Sequence, residues 1–211
     1  MSPASAPTPS PSPTAARAPT PGPTPTPTAT LSPRPSASPS PELPATGVAL
    51  TLPANWQRVG MTEAALRDYL ATAGKSSPLV TSKIDELISR GAYLRPRFFA
   101  FGYDGATVIG NVSIDSRETE GYTLEMLLPA IEGMLGQVGA TGIGSSRVRL
   151  PAGDAVRVTY SITTRVKQMG ATYLLEDGGL LYGVAFTCLA APANTCLEQA
   201  AAMVRTLAIT P

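Results

Sequence analysis

The chain has no histidine, one tryptophan and two cysteines in 211 residues, and charged side chains make up only 15% of it. The missing histidine excludes Ser-His-Asp and Cys-His nucleophile systems, histidine general bases, and zinc or iron held by histidine. Long apolar runs are also missing: none reaches the roughly 18 residues that a transmembrane helix requires. Neither sign of charge dominates, since 16 Lys+Arg stand against 15 Asp+Glu. That balance argues against a nucleic-acid partner, which calls for a basic patch or a high pI. No motif asks for a cofactor, and none is expected.

Proline is abundant but uneven, with 15 of the 22 prolines in the first 44 positions. Those 44 residues are otherwise almost all Ser, Thr and Ala, with three charges, Arg17, Arg34 and Glu42. They cannot bury enough apolar surface to offset the entropy of ordering, so residues 1–44 are expected to be a disordered tether and residues 45–211 one folded domain. Thr24-Pro25-Thr26-Pro27-Thr28 favours polyproline II, whose rise of about 3.1 Å per residue gives the tether a reach on the order of 100 Å. The start, Met1-Ser2-Pro3-Ala4, has neither a basic nor an apolar leader region. Because such tracts follow the lipidated cysteine of bacterial lipoproteins, an upstream signal is expected, and any membrane association would run through that anchor alone. Leu43-Pro44-Ala45-Thr46-Gly47 matches a sortase motif, but a whole domain follows it. It is read as linker composition.

Cys188 and Cys196 lie eight positions apart, on either side of a strand-to-helix connection. A short loop there brings two Cα atoms within the ~4.4–6.8 Å that a disulfide needs, and a bridge suits an oxidising compartment.

From Gly47 the pattern becomes that of a folded domain. Val48 to Leu52 reads as a strand stopped by Pro53; Thr62 caps a helix through about Ala73, and a second helix runs from about Val80 to Arg90. Arg97 to Tyr103 and Thr107 to Ile114 flank Asp104-Gly105, a hairpin signal. A helix from Thr123 carries Leu124, Leu127, Leu128, Ile131, Leu135 and Val138, with Pro129 expected to kink it or mark its start. Gly139 to Gly144 reads as a linking loop. Four strands follow, at Arg147 to Leu150, Ala155 to Thr163, Gln168 to Leu175 and Leu180 to Thr187, and a last helix opens on the capping box Thr195-x-x-Glu198. This order implies an α+β fold: a mainly antiparallel sheet with helices packed on it.

Val48-Ala49-Leu50-Thr51-Leu52-Pro53-Ala54-Asn55-Trp56, Leu150-Pro151-Ala152-Gly153-Asp154-Ala155-Val156-Arg157, and the strand pair ending at Thr187 before the last helix together resemble the PsbP-like superfamily. That group includes the PsbP subunit of photosystem II, the Ran-binding Mog proteins and bacterial lipoproteins of the LpqN kind, and the composition and tether resemble the lipoproteins most. The resemblance implies an α/β/α sandwich with an accessory or binding role and no shared catalytic residues.

Thr141 to Ser146 is glycine-rich but follows a helix and opens a strand, the reverse of a dinucleotide loop. Asp115, Glu118 and Glu120 lack the spacing of a calcium loop, and Asn111-Val112-Ser113 is a sequon inside a strand. Trp56, Tyr93, Phe98 and Tyr182 read as core aromatics. The candidate binding surface is polar: alternation places Arg147 and Arg149 opposite Val148 and Leu150, and Arg157, Thr159 and Ser161 opposite Val156, Val158 and Tyr160. If the two strands are neighbours, those five residues share a face suited to an acidic partner protein or a small anionic ligand. The expectation is therefore a monomeric, non-enzymatic binding or accessory module outside the cytoplasm, tethered to a membrane or wall. The alternative is an envelope hydrolase working through paired acids.

Overall fold

The chain divides into two units, Met1–Pro35 and Ser36–Pro211, and the computed structural model describes residues 48–73, 77–91, 96–163, 166–190 and 193–209 of the second. The expected tether and Tyr93 lie outside the described residues.

Short strands Val48–Ala49 (β1) and Trp56–Arg58 (β2) precede two helices, Glu63–Thr72 (α1) and Pro78–Ser89 (α2). Phe98–Asp104 (β3) and Thr107–Glu118 (β4) form a hairpin, followed by Leu124–Gln137 (α3). Thr141–Leu150 (β5), Gly153–Thr163 (β6), Lys167–Asp177 (β7) and Leu180–Leu189 (β8) then run as a meander into Ala193–Val204 (α4) and Ala208–Ile209 (β9). Seven strands make one antiparallel sheet in the order β2-β3-β4-β8-β7-β6-β5, while β1 pairs with β9 separately.

Local chemistry sets the helix starts. Thr62, Ser77 and Thr123 are N-caps whose hydroxyls accept from Ala65, Val80 and Met126. Pro129 neither starts nor ends α3, which continues through it. Thr195 is not a cap, because α4 begins two residues earlier and encloses it. The expected loop at Thr141 to Gly144 is the start of β5, with a register shift against β6 that absorbs its two glycines.

The sheet is covered on both sides. Under α4 lie Ile114, Val184 and Tyr173, and then Val112, Phe186 and Ala171, in a core joined by Cys196, Ala200, Met203 and Val204. Cys188 and Cys196 are bonded at S–S 2.03 Å, tying β8 to α4. On the other side α1 and α2 cover Phe99, Phe101 and Tyr103, while α3 covers Val156, Val158, Leu174 and Leu181. Trp56, Phe98 and Tyr182 are core residues, as their composition suggests.

Candidate functional site

Directly opposed residues of neighbouring antiparallel strands point to the same face. Pairing traces one row across five strands, Phe101, Asn111, Thr187, Gly170 and Tyr160. Phe101 sits beneath the α1–α2 pair, and Tyr160 lies near the C-terminal end of α3. Neither helix group covers the middle of the row, and the result is a groove of about 520 Å³ between α2 and α3. Pro78, Leu79, Ser82, Lys83 and Glu86 of α2, with Arg90 at its C-cap, form one wall, with Leu135 and Val138 opposite. Asn111, Thr187, Tyr160, Gln168 and Ile162 make the floor. Its size is that of an ordinary small-ligand cleft.

Three features distinguish this groove from a packing gap. Asn111 is only 7% exposed, yet neither it nor Thr187, Tyr160 or Gln168 makes a side-chain hydrogen bond among the described residues. No described side-chain polar atom is both shut off from solvent and unpartnered, so the Asn111 amide opens into the groove. Water reaches that amide in the open groove, so a ligand that displaces the water has a hydrogen bond there to replace. Second, Tyr160 folds over Gly170: a Cβ on Gly170 would stand 2.2 Å from the tyrosine Cζ. Third, α3 is apolar around most of its circumference, yet of its residues only Leu124 is buried. Met134 is 50% exposed, Val138 just beyond the helix 64%, and Val166 across the groove mouth 43%. Of these, Val138 and Val166 line the groove, beside the half-buried Leu135 of α3.

The charged rim neutralises itself. Lys83 Nζ donates to Glu86 Oε2 at 2.9 Å, and Arg90 also pairs with Glu86. Burial pushes the Glu86 carboxyl up, but the Lys83 hydrogen bond and the charges of Lys83 and Arg90 outweigh it and hold the carboxyl below its ordinary value. Further along the same face, Asp115 lies across Gly183, where a Cβ would stand 2.9 Å from Oδ1. Desolvation pushes the Asp115 carboxyl up against the opposing pull of Arg117 and Arg90.

The five residues expected to share one surface do not. The two-residue turn Pro151-Ala152 pairs odd-numbered residues of β5 with even-numbered residues of β6, so Arg147 opposes Val156 and Arg149 opposes Asp154. Arg147 and Arg149 therefore point to the side of α1–α3. Arg157, Thr159 and Ser161 oppose Ser146, Gly144 and Thr141 and point to the side of α4. A one-residue change in register sends every side chain to the other face, and strand alternation alone does not fix register. The two arginines on the α3 side are also compensated: Arg147 pairs with Glu125 at 2.9 Å and Arg149 with Asp154 at 2.6 Å, all largely exposed. They line a hollow of about 680 Å³ that also holds Glu176 and Asp177. It is larger than the groove, but its acids outnumber its arginines and an anion is not favoured there.

Sequence reasoning missed Asn111, Tyr160, Gln168 and Thr187. Asn111 is visible as a polar amide among Val108, Ile109, Gly110 and Val112, which is an unusual place for an unpaired side chain. Among the described residues no cluster of acids, cysteines and histidines is arranged to hold a metal, and no helix is long and apolar enough to cross a membrane.

No protein-family model matches the chain, and no curated protein matches it in sequence. Among solved structures, the fold is similar to LpqN of Mycobacterium tuberculosis, described as involved in cell envelope biogenesis, with a TM-score of 0.50 at 14% identity over 78% of this chain and 83% of that one. A protein of Bacteroides thetaiotaomicron aligns over 80% of this chain and 48% of its own, at 11% identity and a TM-score of 0.46. At such identity the likeness to LpqN is one of fold.

Proposed function

We propose that the chain is a non-enzymatic binding or accessory module of the cell envelope, of PsbP-like type, and that the groove between α2 and α3 is its binding site. The observation that carries this reading is the set of unpartnered polar side chains on the groove floor, with the 7% exposed Asn111 at its centre. Because Lys83, Glu86 and Arg90 balance one another, the ligand need not be charged. It has an apolar body for Leu135, Ile162 and Val138 and hydrogen-bonding atoms for the floor. An extracytoplasmic location is supported by the Cys188–Cys196 bond and by the fold shared with LpqN. The proline-rich residues 1–44 act in this reading as a spacer from a membrane or wall. Hydrolysis by paired acids is less well supported: the groove is lined by one carboxylate, Glu86, already held between two cations, and in the acid-lined hollow Glu125 and Asp154 are each paired with an arginine.

The test is nuclear magnetic resonance on the full chain titrated with N-phenylnaphthylamine, a neutral apolar probe. The side-chain amide signals of Asn111 and Gln168 are expected to shift saturably. Shifts confined to other residues would place binding elsewhere and overturn this choice of site.

A further inference from the structure

Resting on the groove as the binding site, we infer that its occupant is a neutral proline-rich segment of a partner protein in the polyproline II conformation. The argument is one of matching what the groove offers to what each kind of peptide needs. The floor is the face of a sheet, so it presents side chains and no free backbone ladder. An added β-strand takes its affinity from main-chain pairing along a sheet edge, and this surface has no such pairing to give. A docked helix satisfies its own backbone internally, apart from its ends, and would leave Asn111, Gln168, Tyr160 and Thr187 to pair with its side chains alone. Polyproline II has no internal hydrogen bonds, so every carbonyl is a free acceptor, and its prolines bring no N–H that needs one.

The donors are in place for those carbonyls. Asparagine and glutamine amides each carry two donor hydrogens, and tyrosine and threonine hydroxyls one apiece. Leu135, Val138, Ile162 and Val166 supply aliphatic surface for pyrrolidine rings, and the Tyr160 ring, laid over Gly170, supplies an aromatic one. Aromatic-lined grooves are the common receptors for this conformation, which also loses little entropy on binding because it is already extended. Charge points the same way. An acidic segment would meet Glu86 and a basic one Lys83 and Arg90, whereas a neutral segment leaves the three-residue pairing intact.

Fluorescence anisotropy with fluorescein-labelled decaproline and the full chain tests this, with a Gly/Ser peptide of equal length as control. Saturable binding of decaproline, absent for the control, is the expected result. Tyr160→Phe, which removes only the hydroxyl, should weaken it several-fold, and Val138→Asp at the exposed rim about tenfold, with urea midpoints confirming that both variants fold. No saturable binding up to millimolar peptide, equal binding of the control, or binding untouched by both variants overturns the inference. If N-phenylnaphthylamine still shifts the Asn111 and Gln168 amides while decaproline does not bind, the groove remains the site and its occupant is a small molecule. If neither binds, the site assignment falls with it.

Discussion

Two glycines at neighbouring places on the sheet do opposite things, and the difference is testable. Gly110 lies where β4 passes under α4: a Cβ there would stand 2.4 Å from the Thr187 carbonyl oxygen and 2.6 Å from Cys196 Sγ. Neither can retreat, since one is strand backbone and the other is bonded to Cys188. Gly110→Ala is expected to cost about 1–3 kcal/mol or more, read as a lowered urea midpoint. At Gly170 the obstruction is instead the far end of the Tyr160 side chain. Gly170→Ala should swing that ring aside, with a stability loss of less than about 1 kcal/mol but a changed groove, seen as weakened N-phenylnaphthylamine binding. Such distinctions are hard to draw from sequence, where both positions are simply glycine inside a strand. Asn111 was likewise legible only as an oddity, because which face it points to depends on a register that only the paired strands establish.

At the scale of elements, local chemistry was more informative. The hydroxyl cap at Thr62, the turn residues Asp104-Gly105 and the spacing of the cysteines announced structures that are present. The box at Thr195 failed because α4, packed against β8, begins upstream of that local start signal. Strand β9 was invisible, since two residues have no periodicity. The bond between Cys188 and Cys196 closes a separation of eight residues, and chain entropy puts its contribution near 2.5 kcal/mol. The Cys188→Ala/Cys196→Ala double variant should lose about that much, measured by urea unfolding without reductant.

Helix α2 carries a pH dependence through Glu86. Its folded carboxyl lies below its ordinary value, so its contribution is present above the unfolded pKa and lost as pH falls through the folded one. Asp115 has the opposite sign: its raised folded value favours stability at low pH and subtracts as pH rises. Glu86→Gln is therefore expected to flatten the acid side of a stability–pH curve, while Asp115→Asn should raise stability at neutral pH. Urea midpoints collected from pH 3 to pH 7 would show both, and identical curves for Glu86→Gln and the parent chain would contradict the first.

For the molecule as a whole, the sequence led to an α+β fold with a mainly antiparallel sheet, and the seven-stranded sheet with helices on both sides has that form. Alternation showed which residues of a strand go together but not which face of the sheet they share. One two-residue turn at Pro151-Ala152 decides that, and it separates Arg147 and Arg149 from Arg157. The groove arises from an arrangement of still longer range, two helix groups set apart on one side of the sheet, for which no segment of sequence carries a signal. The central claim is that this groove, and not the arginines, is where the molecule binds. Its most direct test is the dissociation constant of N-phenylnaphthylamine, measured side by side on the full chain, on Val138→Asp and on Arg149→Glu/Arg157→Glu. We predict a rise of about tenfold for Val138→Asp and none for the arginine pair; an unchanged value for Val138→Asp with a loss in the arginine pair would contradict the account.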